Sequence, residues 1–224
     1  MQEHNMQPWQ PYEAMTDGER IERVRAFREL MTTRRSCRAF SDQPVPREVI
    51  EEALRTASSA PSGANHQPWH FCVVESPEAK AAIRVSAEEE ERRFYAGKGG
   101  RAWLDALRPL GTGADKPFLE TAPWLIVVFA QRFGGPEPED FLQNYYVTES
   151  VGIACGMLLS ALHAAGIATL VHTPNPMRFL NRVCRRPEHE KPLMIIVCGH
   201  PSADATIPSE ALHKKPLEDV SSWL

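Results

Sequence analysis

Two spacings of apolar residues run along the chain. Thr16 and Glu19 have the form of a capping box. Behind them Ile21, Val24, Phe27, Leu30 and Met31 recur at helical spacing and predict an amphipathic helix. After a turn over 42–46, Val49, Ile50, Ala53, Leu54 and Ala57 form the stripe of a second helix. Ser58 to Pro68 is a loop of small residues, and Trp69 to Glu75 reads as a strand. Ser76 followed by Pro77 marks a helix start, with Ser as N-cap and Pro at the first helical position; that helix is expected to reach about Tyr95. Residues 96–116 are rich in Gly and polar residues around a short amphipathic piece, and read as a mobile insertion. Trp124 to Ala130 is a continuous apolar strand, Leu142 to Ala165 a long buried helix, Ile167 to Val171 a short strand, and Met194 to Cys198 another buried strand. Residues 200–224 read as an irregular tail. Apolar strands separated by long helices predict an α/β or α+β fold whose sheet is covered on both faces.

The segment from Val151 to Val171 is apolar enough to raise the question of a membrane span. Gly166 suits a helix C-cap and divides it into a helix and a strand, each too short to cross. A helix apolar all round is then a core or subunit-interface helix.

Composition narrows the classes. The chain has 224 residues, 42% apolar and 24% charged, and a formal net charge of −4. That balance argues against nucleic acid or an anionic membrane as the main partner. Five cysteines, an odd number without a C-x-x-C pair, and a polar start over 1–13 lead to the expectation of reduced thiols in a cytoplasmic protein.

The chemistry begins with absences. The dinucleotide-binding, P-loop and nucleophile-elbow glycine patterns do not occur. His66 and His70 have the spacing of a zinc pair on a helix, but Pro68 between them argues against a helix, so no metal is expected. Arg34, Ser36 and Arg38 alternate, so extended backbone puts them on one face, where their donors suit a phosphate monoester. The same cluster also reads as a solvated basic helix end. Glu91 and Tyr95, four apart on a helix, meet on one face; with Lys116 they form a set able to hold a zwitterion, or else an exposed charged face.

Together these segments resemble the FMN-dependent nitroreductase superfamily and, within it, the iodotyrosine deiodinase branch. The resemblance rests on Arg34 to Arg38, Ala60 to Trp69, Glu88 to Glu91 with Tyr95, Leu119 to Pro123, Ile153 to Leu159, Thr173-Pro174, Pro187 to Lys191 and Lys215 to Leu217. It implies an α+β sandwich: a central mixed sheet flanked by helices, in a domain-swapped homodimer with FMN at the subunit interface. Residues 1–15 would be an arm and 16–224 one FMN-binding domain, with 91–116 as an active-site lid and 200–224 as a C-terminal extension.

Carried over by position, Arg34 and Ser36 would hold the FMN phosphate with Lys214, or its neighbour Lys215, as a second cation. Arg35 and Arg38 would lie along the ribityl chain and the pyrimidine edge, and Ser62 in the loop beside the cofactor. The catalytic position is Thr173, whose hydroxyl would meet flavin N5; the resemblance ties such a donor to single-electron chemistry. His172 stands where the family often has another Thr. Glu91 would take the substrate ammonium, Tyr95 and Lys116 its carboxylate, and the backbone N–H of Ala64 its phenolate. The implied activity is reductive dehalogenation of 3-iodo- or 3-bromotyrosine, with NAD(P)H or a partner reductase as electron source. The rivals are a general nitroreductase or quinone reductase and a non-catalytic flavin- or amino-acid-binding protein. Gly111, Gly113 and Pro117 depart from the family pattern in the lid.

Overall fold

A computed structural model describes residues 6–134 and 142–224. By its contacts the chain divides into two units, Met1–Arg34 and Arg35–Leu224.

The first unit carries helix α1 (Asp17–Thr32). Its capping box forms as expected: the Glu19 N–H donates to Thr16 Oγ1 at 3.3 Å and the Thr16 N–H to Glu19 Oε2 at 2.7 Å. The expected burial of its apolar stripe is not found. Ile21, Val24, Phe27 and Leu30 are exposed and no residue of α1 is buried. Periodicity set the face, but burial needs something to pack against.

In the second unit, strands β1 (Trp69–Val74), β2 (Trp124–Gln131), β3 (Ala168–His172) and β4 (Glu190–Gly199) form a sheet in the order β1-β2-β4-β3. All three pairings are antiparallel. The sheet expected to be mixed therefore has, among the named strands, no parallel pair; among the described residues parallel pairing is limited to a single bridge between Ser36 and Thr169. Central β2 alternates strictly. Trp124, Ile126, Val128 and Ala130 enter one core with helices α2 (Arg47–Ser58) and α6 (Val147–Ala164). Leu125, Val127 and Phe129 enter a second core with α3 (Pro77–Arg93), α5 (Phe118–Thr121) and α7 (Phe179–Val183). A strand buried on both faces must be apolar throughout, and β2 is.

α2 buries Ile50, Ala53 and Ala57, as its stripe predicts. α6 starts at Val147 rather than Leu142. Tyr146 adopts a left-handed conformation (φ 48°), and the preceding residues turn back onto the strand end, where Asn144 Nδ2 donates to Gln131 O. α6 is long and apolar enough to cross a membrane. In the fold Val151, Ala154, Cys155, Leu158 and Leu162 are buried, whereas Gly152, Ile153 and Gly156 lie at the surface of the single chain. The helix is thus half core and half open apolar face. The segment 66–70 is a turn entering β1, so the two histidines lack helical spacing; His66 Nδ1 bonds Asn144 Oδ1 at 2.8 Å.

Candidate active site

α3 keeps its chemistry on its last turns. Its N-cap is Ser76, whose Oγ accepts from the Ala79 N–H. Glu88 and Glu91, three apart, share a face. The helix then widens into a π-turn (Phe94–Lys98) and passes Gly97 at φ 126°, a conformation L side chains rarely adopt. Helix α4 (Arg101–Leu107) follows, and the chain returns through Gly111 to Lys116 at the foot of α5. The two ends of this excursion are tied. The Lys116 N–H donates to Glu88 Oε1 at 2.7 Å, and Lys116 Nζ lies 3.1 Å from Glu91 Oε2. Burial opposes the Glu88 carboxylate, but the Arg84 guanidinium and the Lys116 N–H outweigh it and hold its pKa below the ordinary value. Segment 91–116 is therefore an Ω-like loop with a pinned neck.

A cavity of about 450 Å³ opens beneath this loop. Arg38, Glu91, Tyr95, Lys116 and Thr173, all singled out from the sequence, line it together. Lys116 is 6% exposed; its Nζ also donates to Gly113 O at 2.6 Å and lies 5.8 Å from the centre of the Tyr95 ring. Tyr95 OH donates to Thr112 Oγ1 at 2.7 Å. The rival reading of these residues as a solvated charged face fails here, because ammonium, carboxylate and phenol are gathered against one wall. Charges removed from water are kept only where paired, and such pairs are strengthened by their low-dielectric surroundings.

Cavity-lining residues not anticipated from the sequence include Glu90, Phe94, Trp103, Thr112 and Phe118. Phe94 packs edge-on against both Tyr95 and Trp103, with ring centres 5.4 and 5.1 Å apart. The signal was there: Trp103 lies in the short amphipathic piece of the insertion, with Leu104 and Leu107.

His172 ends β3 on the cavity wall. It is 7% exposed and its ring meets Phe118 edge-on at 5.7 Å. Its Nε2 is buried without a hydrogen-bond partner, an arrangement that costs about 1–3 kcal/mol when nothing fills it. Burial, reinforced by the Lys116 charge, pulls its pKa down to about 3, so the imidazole is neutral at ordinary pH.

Other anticipated residues lie elsewhere. Arg34 closes the first unit and Arg35 opens the second. Ser36 bridges Thr169 at the edge of β3. Ser62 Oγ accepts from the Gln67 N–H at 2.9 Å, and Ala64 sits in the same loop at φ 50°, where its N–H is presented by a strained turn. Gly63 between them is packed so closely that a Cβ would lie 2.7 Å from Tyr145 O. Lys214 is exposed in the tail. None of these lines the cavity under the loop.

The comparisons with known proteins cover most of the chain. The sequence model of the nitroreductase family matches residues 31–200. An iodotyrosine deiodinase of Haliscomenobacter hydrossis is 47% identical over 190 residues, covering 85% of this chain and 86% of that protein. The chain belongs to the nitroreductase family, in its iodotyrosine deiodinase branch. Iodotyrosine deiodinase 1 of Homo sapiens is 43% identical over 205 residues, 91% of this chain and 70% of its own length. Among solved structures, an oxidized iodotyrosine deiodinase bound to FMN and 3-iodo-L-tyrosine superposes with a TM-score of 0.72 at 31% identity, covering 85% of this chain and 96% of that one. An FMN-bound nitroreductase of Desulfitobacterium hafniense, at 21% identity and a TM-score of 0.65, shares the fold.

Proposed function

We propose that this protein is an FMN-dependent dehalogenase of halogenated tyrosines. The observation that carries the reading is the set Glu91, Tyr95 and Lys116, with Lys116 buried and the other two half-buried, lining one cavity with Thr173 and Arg38 in a chain of the iodotyrosine deiodinase branch. A generalist reductase of small aromatics has no use for a zwitterion clamp.

The residues fit a flavin. Thr173 offers a hydroxyl at the cavity wall and Arg38 a cation. Bound reduced FMN supplies electrons to the carbon–halogen bond. For each halide expelled, the aromatic carbon gains two electrons and one proton. The protein's part is positioning. Glu91 receives the ammonium, and Lys116 with Tyr95 the carboxylate, in exchange for their present contacts with one another. Thr173 donates toward flavin N5. Arg38, with Arg35 along the ribityl chain, favours an anionic reduced ring. Arg34, Ser36 and Lys214 hold the phosphate, and Ser62 lies beside the ring system. The Ala64 N–H receives the phenolate. Folding of residues 91–116 over the substrate excludes water and strengthens each charged contact.

Because Ser62 and Ala64 lie outside the cavity of their own chain, we place them in the site of a second copy. The open apolar face of α6, with Gly152, Ile153 and Gly156, supports such a homodimer in which each site draws on both chains. Electrons come from NAD(P)H or a partner reductase, and the compartment is the cytoplasm.

The test is anaerobic. The flavoprotein is reduced with dithionite, freed of excess reductant and mixed with 3-iodotyrosine. Flavin reoxidation with matching iodide and tyrosine is the expected result. Reoxidation by a nitroaromatic alone would assign a generalist reductase instead, and tight binding without reoxidation a binding protein.

A further inference from the structure

Of the titratable residues lining the cavity that the scheme above leaves idle, His172 is the buried one. His172 is almost fully buried, lines the cavity, and presents an Nε2 that no group of the described chain bonds. Folded proteins rarely leave such an atom unpaired, and a conspicuous exception at a ligand cavity points to a partner that arrives with the ligand. His172 is the last residue of β3, and Thr173 follows just past the strand end. The ring edge touches Phe118, two residues past Lys116, and the Lys116 ammonium is the charge that acts on it. His172 thus lines the cavity beside Phe118, close to the neck of the loop.

The partner's chemistry follows from that position. A ligand atom seated against the Lys116 ammonium is an anion or a strong acceptor. An imidazole held neutral by burial beside that ammonium has one N–H to give and adds no second positive charge. We propose that His172 completes the carboxylate subsite: its Nε2–H donates to the ligand carboxylate that Lys116 also holds, and so selects amino acids over their decarboxylated analogues. This rests on the reading of the site as a halotyrosine clamp.

The test uses FMN-loaded protein and follows flavin fluorescence during titration with 3-iodotyrosine and with 3-iodotyramine, which lacks the carboxylate. A hydrogen bond to a charged group predicts that His172→Phe weakens iodotyrosine binding roughly ten- to a hundredfold, while iodotyramine binding stays as in the wild type. His172→Gln, which can place a donor where Nε2 stood, restores most of the loss. If His172→Phe does not fold, His172→Thr carries the same titration. Equal losses for both ligands, or unchanged iodotyrosine binding, overturn the inference while leaving the clamp intact. A changed FMN affinity or flavin spectrum in the ligand-free His172 variant overturns it too, since the contact would then be to the cofactor. Wild-type protein that binds neither ligand overturns the halotyrosine reading, and the inference falls with it.

Discussion

Strand β2 and the neck of the 91–116 loop both take side chains out of water, and they do so by opposite means. β2 is dry: from Leu125 to Phe129 every residue is fully buried, and each belongs to one of the two hydrophobic cores. The neck buries Lys116 and half-buries Glu91 and Glu88, held by an ion pair, a backbone N–H and a carbonyl. The strand is stabilised in proportion to the area it removes from water, so its residues are interchangeable within limits of volume. The neck is stabilised only while each charge keeps its partner. A ligand that offers the same charges can therefore take those partners over, whereas nothing can usefully replace Val127. Binding chemistry sits where burial is conditional.

That contrast can be broken at several points. Leu125→Ala removes fully buried volume and should destabilise the fold by about 2–5 kcal/mol, read by denaturant unfolding, with the ligand affinity of the remaining folded protein unchanged. Lys116→Ala should do the reverse. Loss of the charge-assisted contacts weakens 3-iodotyrosine binding by about a hundredfold or more, read by flavin fluorescence titration, with a far smaller effect on a nitroaromatic. Binding left intact in Lys116→Ala would remove the clamp.

Acid sharpens the comparison. The folded chain holds His172 neutral down to about pH 3, while the unfolded chain takes up that proton near 6.5. Between those values the unfolded state binds more protons, so stability falls as pH falls, by at most about 1.4 kcal/mol per pH unit from this group. His172→Phe should flatten that part of the stability profile; an unchanged profile would mean that other groups govern it. The smallest effect is expected from Tyr95→Phe, which removes the bond to Thr112 Oγ1 from the loop. Its cost to stability is about 0.5–1.5 kcal/mol, with a measurable loss of affinity for iodotyrosine and none for iodotyramine, which has no carboxylate for the phenol to meet.

The same contrast explains what could be read in advance. The unbroken apolar run of β2, the stripe of α2 and the capping box of α1 follow from period and local chemistry, and each is found. Glu91 with Tyr95 was legible because a helix fixes the four-residue spacing. Lys116 was marked only by its place at the end of a Gly-rich segment. Its burial against Glu91, and the tie from its own N–H to Glu88, come from chain closure over some 25 residues, which no local pattern encodes. His172 was visible as an unusual residue at its position. That its Nε2 would be buried and unbonded could not be seen, because burial is a property of what Phe118 and the loop neck place around it.

By itself the sequence determined the periods, the caps, the alternation of β2 into two cores and the family to which the chain belongs, since these rest on residue identity and short-range spacing. Tertiary structure decided that all named strands pair antiparallel, that α1 keeps its apolar stripe exposed, that α6 is half open, and that five residues from four separate segments meet in one cavity. Strand direction, burial and the partnering of charges depend on which distant segments come together, and that is settled by packing the chain as a whole.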